Sequence, residues 1–174
     1  MIIREMQKKS DIEQISDLDA SFSTQFIYQV VVKSLSVQII EEKLAVSFQK
    51  SYQPWNKNDI DNADCAIVAE IDGKIVGFAT VKYEEWNKRA ILSGIFVALN
   101  FKEKGVGRAL IDSVINHLKS TPARGLWVET QNINYPAIQF YIKLGFEFCG
   151  FDNTLYNPDE TASKEVAFYF YKNL

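Results

Sequence analysis

Two alternating, apolar-rich runs flank Asp72–Gly73 in "CAIVAEIDGKIVGFATVKYEEW". Period-two alternation marks half-buried strands, and Asp-Gly is the pair a tight type I′ hairpin favours. Gly77 inside the second run predicts a bulge. A further strand, "NKRAILSGIFVAL", follows a turn near Trp86–Lys88 and ends at Val97. Near Gly107 the period changes to helical, with Leu110, Ile111, Val114 and Leu118 on one face. "TPARG" breaks that helix, and "LWVETQ" reads as a strand. "NYPAIQFYIKLG" carries its own punctuation: Asn134 caps a helix, Pro136 fits its first turn and Gly145 closes it. "FEFCGFDNTLY" and "KEVAFYFYK" predict the last two strands.

The N-terminal third is less regular. "IIREM" reads as a strand, and "SDIEQISDLDA" as a helix with Ser10 and Glu13 in capping-box spacing. "FIYQVVVKSLSVQII" is rich in β-branched and aromatic residues. It predicts strands over 25–32 and 36–41 with a turn at Lys33–Leu35, and a helix over the same residues is the competing reading. "QKSYQPWNKNDIDNAD" predicts a surface loop. A helix between two strands implies a parallel crossover in an otherwise antiparallel sheet. The chain therefore predicts an α+β (mixed α/β) domain spanning 1–174.

Composition adjusts this picture modestly. The 174 residues are 47% hydrophobic and 24% charged, consistent with a folded globule. The net charge of −3 argues against a general nucleic-acid binder, whose affinity requires a basic face. Cys65 and Cys149 have no CxxC spacing and predict two half-buried thiols of a reduced, cytoplasmic protein. No His/Cys/Asp cluster has metal-ligand spacing, and no segment approaches the roughly 20 apolar residues of a membrane span.

Candidate chemistry centres on "FKEKGVGRALID". A helix N-terminus presents unpaired N–H groups and about half a positive charge. Gly105 and Gly107 remove the side chains in the way, and Lys102, Lys104 and Arg108 place charge around them. Such a site suits a diphosphate. It lacks the Lys-Ser or Lys-Thr of a P-loop and the third glycine of a dinucleotide fingerprint. The plainer reading is a glycine-assisted turn into a helix.

With the second half of the chain included, the sequence resembles the GCN5-related N-acetyltransferase (GNAT) superfamily. "KEKGVG" at 102–107 resembles that family's coenzyme motif, with Lys102 in place of the usual Arg or Gln. Asn134, Ala137, Tyr141, Gly145 and Phe146 match its second motif. Trp86–Asn87, "ETQNIN" at 129–134 and "GFDNTLY" at 150–156 are similar to the streptothricin acetyltransferases, as are "DASF" (19–22) and "KSY" (50–52). Ser93–Gly94 stands where those enzymes carry two acids.

The resemblance implies a mostly antiparallel sheet splayed at one parallel strand pair and flanked by helices. It implies acetyl-CoA as co-substrate, held by Val97, Lys102, Lys104, Gly105, Val106, Gly107, Arg108, Asn134 and Tyr141, with no metal. Transfer goes to the amine of a small cationic molecule, an antibiotic of the streptothricin or aminoglycoside kind, by direct attack in a ternary complex. Tyr141 is the expected proton donor to the leaving sulfur, since a phenol stays protonated at neutral pH. Glu129 is the candidate base, with ordered water, Glu84 or Glu85 as alternatives. Tyr28, Glu84, Trp86 and Asp152 are candidate acceptor contacts, alongside Glu85, Asp159 and Glu160. His117 lies off the apolar stripe and is expected on the surface. The other readings are acetylation of a polyamine, amino acid or protein amine, and a non-catalytic acyl-CoA-binding module. The expected protein is a monomer or homodimer.

Overall fold

The computed structural model describes residues 1–51, 60–159 and 165–174. They form two compact units. The first comprises residues 1–21, 51–128 and 172–174, the second 22–50 and 129–171.

The first unit is built on β1 (Ile2–Glu5), β4 (Cys65–Ile71), β5 (Lys74–Glu84), β6 (Arg89–Val97) and the start of β7 (Gly125–Gln131), in that spatial order. Every neighbouring pair is antiparallel except β6 and β7. The parallel register covers Ala90–Leu92 against Leu126–Val128, while β6 continues to Val97 against β5. The β4–β5 hairpin turns at Asp72 (φ 51°) and Gly73 (φ 76°), the two positive values a type I′ turn requires. The register slips beside Gly77, between the pairs Ala69↔Gly77 and Glu70↔Ile75, as predicted.

Helix α2 (Val106–Leu118) lies against β5 and buries Val106, Leu110, Ile111, Val114 and Leu118. Gly77 permits that approach. A Cβ there would stand 2.8 Å from the Phe96 carbonyl oxygen and 3.3 Å from both Leu110 and Val106. Helix α1 (Lys8–Ser16) completes a second apolar layer, in which Met6, Ile15, Ile60, Val68, Ile75 and Phe78 are buried together. Each such side chain contributes about 1.5–3 kcal/mol on burial.

The second unit contains a long ribbon of β2 (Phe22–Lys33) and β3 (Ser36–Lys50), α3 (Tyr135–Lys143), and the antiparallel pair β8 (Glu147–Asp152) and β9 (Ala167–Asn173). The two-strand reading of 25–41 holds, with the turn at Ser34 (φ 53°) and Leu35. Helix α3 begins and ends as its sequence dictates: Asn134 Oδ1 accepts the Ala137 N–H at 3.3 Å, and Gly145 adopts φ 79°.

Three local expectations are corrected. Ser10 does not cap α1; the helix starts earlier, after Gln7. The buried Asp11 carboxylate accepts the Gln7 N–H at 2.8 Å while gripping Arg4 at 2.7 and 3.1 Å, so a tertiary partner sets this helix start. Gln49 and Lys50, expected in a loop, complete β3. The rest of that loop from Tyr52 to Asp59 lies outside the described residues, as does Glu160. Finally, Cys149 is exposed rather than half-buried, because the β8–β9 register skips it between Phe148 and Gly150. His117 is exposed, as its place on the helix predicts.

Candidate active site

In the first unit, β6 leads from Val97 into a short 3₁₀ turn, Leu99–Phe101, and then into α2. Two contacts brace this joint on the segment before β2. The Leu99 N–H meets the Asp19 carbonyl at 3.0 Å, and Lys102 Nζ donates to the Ser21 carbonyl at 2.5 Å. Burial lowers the Lys102 ammonium pKa, against the pull of Asp19. Lys102, expected at the charged rim, thus ties down the loop.

Gly105 caps α2 in the left-handed conformation, φ 84°, with nothing within 4 Å of a built Cβ. The first helical hydrogen bond runs from Ala109 N–H to Gly105 O at 3.0 Å. The amides of Val106, Gly107 and Arg108 precede it, so the helix itself supplies them no acceptor. Lys104 and Arg108 are exposed on either side of Gly105–Gly107, and Lys104 sits 5.3 Å from the Phe101 ring centroid. A bare glycine, forward-facing amides and flanking cations fit the diphosphate of coenzyme A. Along β6, Ser93 is bulged out between the pairs Thr80↔Gly94 and Val81↔Leu92. Its hydroxyl lies 3.0 Å from that of Thr80.

The β5–β6 turn holds two expected acceptor contacts. Glu84 accepts from Asn87 Nδ2 at 3.1 Å and from Arg89 at 3.4 Å, so its carboxylate is engaged within its own turn. Trp86 is 83% exposed.

In the second unit, Glu129 is half-buried near the end of β7 and accepts a hydrogen bond from the Tyr156 hydroxyl. Burial pushes its carboxyl above the usual carboxylate range; Glu165 adds to that, while Tyr156 and Lys50 oppose it. Glu165, nearly buried, pairs with Lys50 at 2.5 Å. Asn132, three residues past Glu129, is a buried knot with all four polar groups engaged. It exchanges hydrogen bonds with Val166 at 2.8 and 2.9 Å and with the Tyr28 backbone at 2.7 and 3.0 Å. The structure therefore brings Tyr28 and Glu129 onto one scaffold.

The Tyr28 hydroxyl donates to Glu41 at 3.3 Å and accepts from Gln139 at 3.0 Å, and its ring stacks on Tyr135 at 5.5 Å. Burial, then Glu41, raises its pKa. Asp152 accepts both the N–H and the hydroxyl of Thr154 at 2.7 Å, which holds its carboxyl below the usual range. Tyr141 is 4% exposed on α3, its ring 5.5 Å from Phe140 and Phe146 and 6.0 Å from Phe170. Lys50, Asn132, Tyr156 and Glu165 had no role in the sequence reading. The first three lie inside "KSY", "ETQNIN" and "GFDNTLY", which are the signal that pointed to them.

A glycine helix start braced by the Asp19–Ser21 backbone, a parallel strand pair and an Asn-capped helix fit an acyl-coenzyme A-dependent transferase. Residues 28–146 match the acetyltransferase (GNAT) family, and the chain belongs to it. It is 33% identical over 171 residues to a streptothricin acetyltransferase of Streptomyces lavendulae, covering 93% of this chain and 89% of that one. It superposes on the crystal structure of nourseothricin acetyltransferase with a TM-score of 0.87 at 33% identity, covering 99% and 97% of the two chains. A Bacillus anthracis protein crystallised with acetyl coenzyme A gives 0.83 at 29% identity, over 99% of each chain. The mixed α/β fold and the N-acetyltransferase class expected from the sequence are both met. Among the described residues no side-chain group is arranged to hold a metal, and no helix is long and apolar enough to cross a membrane.

Proposed function

We propose that residues 1–174 act as one catalytic domain, in the cytoplasm, acetylating a primary amine of a small cationic acceptor of the streptothricin type. The amine attacks directly in a ternary complex. Acetyl-CoA supplies an activated acyl group as a thioester. The amides of Gly105–Arg108, flanked by Lys104 and Arg108, hold its diphosphate. The β6 edge up to Val97 pairs with its peptide-like arm, and Asn134 adds a side-chain contact while capping α3.

The observation that carries this reading is Glu129. Its carboxyl is half-buried, accepts the Tyr156 hydroxyl and is raised above the usual carboxylate range by burial, which suits a proton acceptor. Ser93–Gly94 supplies no acid and Glu84 is engaged within its own turn, which favours Glu129 as the group that receives the acceptor's proton. Tyr141 returns a proton to the departing sulfur. Tyr28 and Asp152 contact the acceptor. Support for the substrate type comes from the relatives, whose names state streptothricin or nourseothricin acetylation.

The test is release of free thiol from acetyl-CoA with streptothricin, an aminoglycoside, spermidine and a lysine peptide, with the product weighed by mass spectrometry. The expected result is fastest turnover on streptothricin, adding one acetyl group. Turnover confined to the peptide or polyamine overturns the acceptor assignment, and coenzyme binding without turnover on any amine overturns catalysis.

A further inference from the structure

Three chain segments far apart in sequence meet around Glu129. Tyr156, from the stretch after β8, donates its hydroxyl to Glu129 Oε1. Lys50, at the end of β3, pairs with Glu165 at 2.5 Å, and the Glu165 side chain is 4% exposed. Glu165 precedes Val166, whose N–H meets Asn132 Oδ1 at 2.8 Å and whose carbonyl accepts the Asn132 N–H at 2.9 Å. The backbone bearing the second carboxylate is thereby pinned to the end of the strand bearing the first.

Two carboxylates sharing a poorly solvated region do not both stay ionised without help. Lys50 neutralises Glu165. Tyr156 donates to one oxygen of Glu129, which stabilises charge there. We propose that Tyr156 and Lys50 are positioning residues for Glu129, Tyr156 aiming its carboxyl to accept the acceptor's ammonium proton and Lys50 offsetting the charge of Glu165 beside it. In that step the N–H bond breaks, an O–H bond forms on Glu129, and the electron pair stays on nitrogen for attack on the acyl carbon. The inference rests on Glu129 as proton acceptor. The groups acting on its charge are Tyr156, Glu165 and Lys50, and Tyr169 lies within reach of its field.

Opposite signs make the inference testable. Tyr156→Phe removes a stabilising donor and raises the Glu129 titration midpoint. Glu165→Gln removes a repelling charge, keeps the Lys50 cation and lowers it. The double variant Lys50→Met/Glu165→Gln removes a neutral pair and leaves the midpoint near wild type. The measurement is carboxyl ¹³C NMR titration of the substrate-free protein, with Glu129 assigned by its loss in Glu129→Gln and folding confirmed by circular dichroism. The expected shifts are about half a pH unit or more in each single variant, and the acidic limb of kcat/KM moves the same way. Midpoints unmoved in both single variants, or moved in the same direction, overturn the inference. Midpoints that move as expected while Glu129→Gln turns over at the wild-type rate instead overturn Glu129 as the base and leave the tuning intact.

Discussion

At the scale of single residues, the chemistry depends on charge being held where water would otherwise screen it. Glu129→Gln keeps shape and removes the proposed base, so kcat on the amine is expected to fall by about 10²–10⁴-fold with KM for acetyl-CoA unchanged. Steady-state thiol release measures both. Tyr141→Phe keeps a ring that packs among Phe140, Phe146 and Phe170. The variant therefore melts near wild type and loses turnover at saturating amine; unchanged turnover removes Tyr141 from the mechanism. Asp11 shows a charge used for folding instead. The Arg4 guanidinium holds its carboxyl below the usual range, with burial opposing. A carboxyl depressed in the folded state stabilises fully above its unfolded pKa, and that contribution fades as pH falls through the folded one. Asp11→Asn is thus expected to cost about 1–3 kcal/mol at pH 7, from lost charged hydrogen bonds. Denaturant melts should show the gap to wild type closing below pH ~4. Glu129 itself was legible in "ETQ". "KSY" and "GFDNTLY" marked Lys50 and Tyr156 but not their pairings, because Tyr156 lies 27 residues on from Glu129 and Lys50 finds Glu165 across 115 residues.

At the scale of elements, local rules sufficed where local residues decide. Asp72–Gly73, Asn134 and Gly145 each act within a few residues, and each behaves as its side chain dictates. The rules failed where a distant partner intervened: Asp11, held by Arg4, makes the bond back to the N-cap amide expected of Glu13, and a strand slip turned Cys149 outward. Gly77 joins both kinds. Its bulge was readable, and so was α2, but the close contact between them was not. Gly77→Ala drives a methyl against the Phe96 carbonyl oxygen and should cost about 1–3 kcal/mol. Recovery of that loss in Gly77→Ala/Leu110→Ala would trace part of it to the α2 contact. Equal melting temperatures for Gly77→Ala and wild type would contradict the close packing of α2 on β5.

At the scale of the whole molecule, the order of most strands and helices and the parallel β6–β7 pair were readable from periodicity, and the family from two motifs in their expected order. The acceptor contacts were not, because Tyr28, Glu84, Trp86 and Asp152 lie far apart in sequence and no local rule relates them. The central claim is that amides at the start of α2 bind coenzyme A beside a glycine free of side chain. Calorimetric titration of coenzyme A into wild type and Gly105→Val tests it most directly. Valine in a left-handed position costs about 1–2 kcal/mol of backbone strain, so both proteins are first shown to be folded. The account predicts one site per chain in wild type and binding at least tenfold weaker in the variant. No heat of binding in wild type at millimolar coenzyme A, or equal affinity in the two proteins, would contradict it.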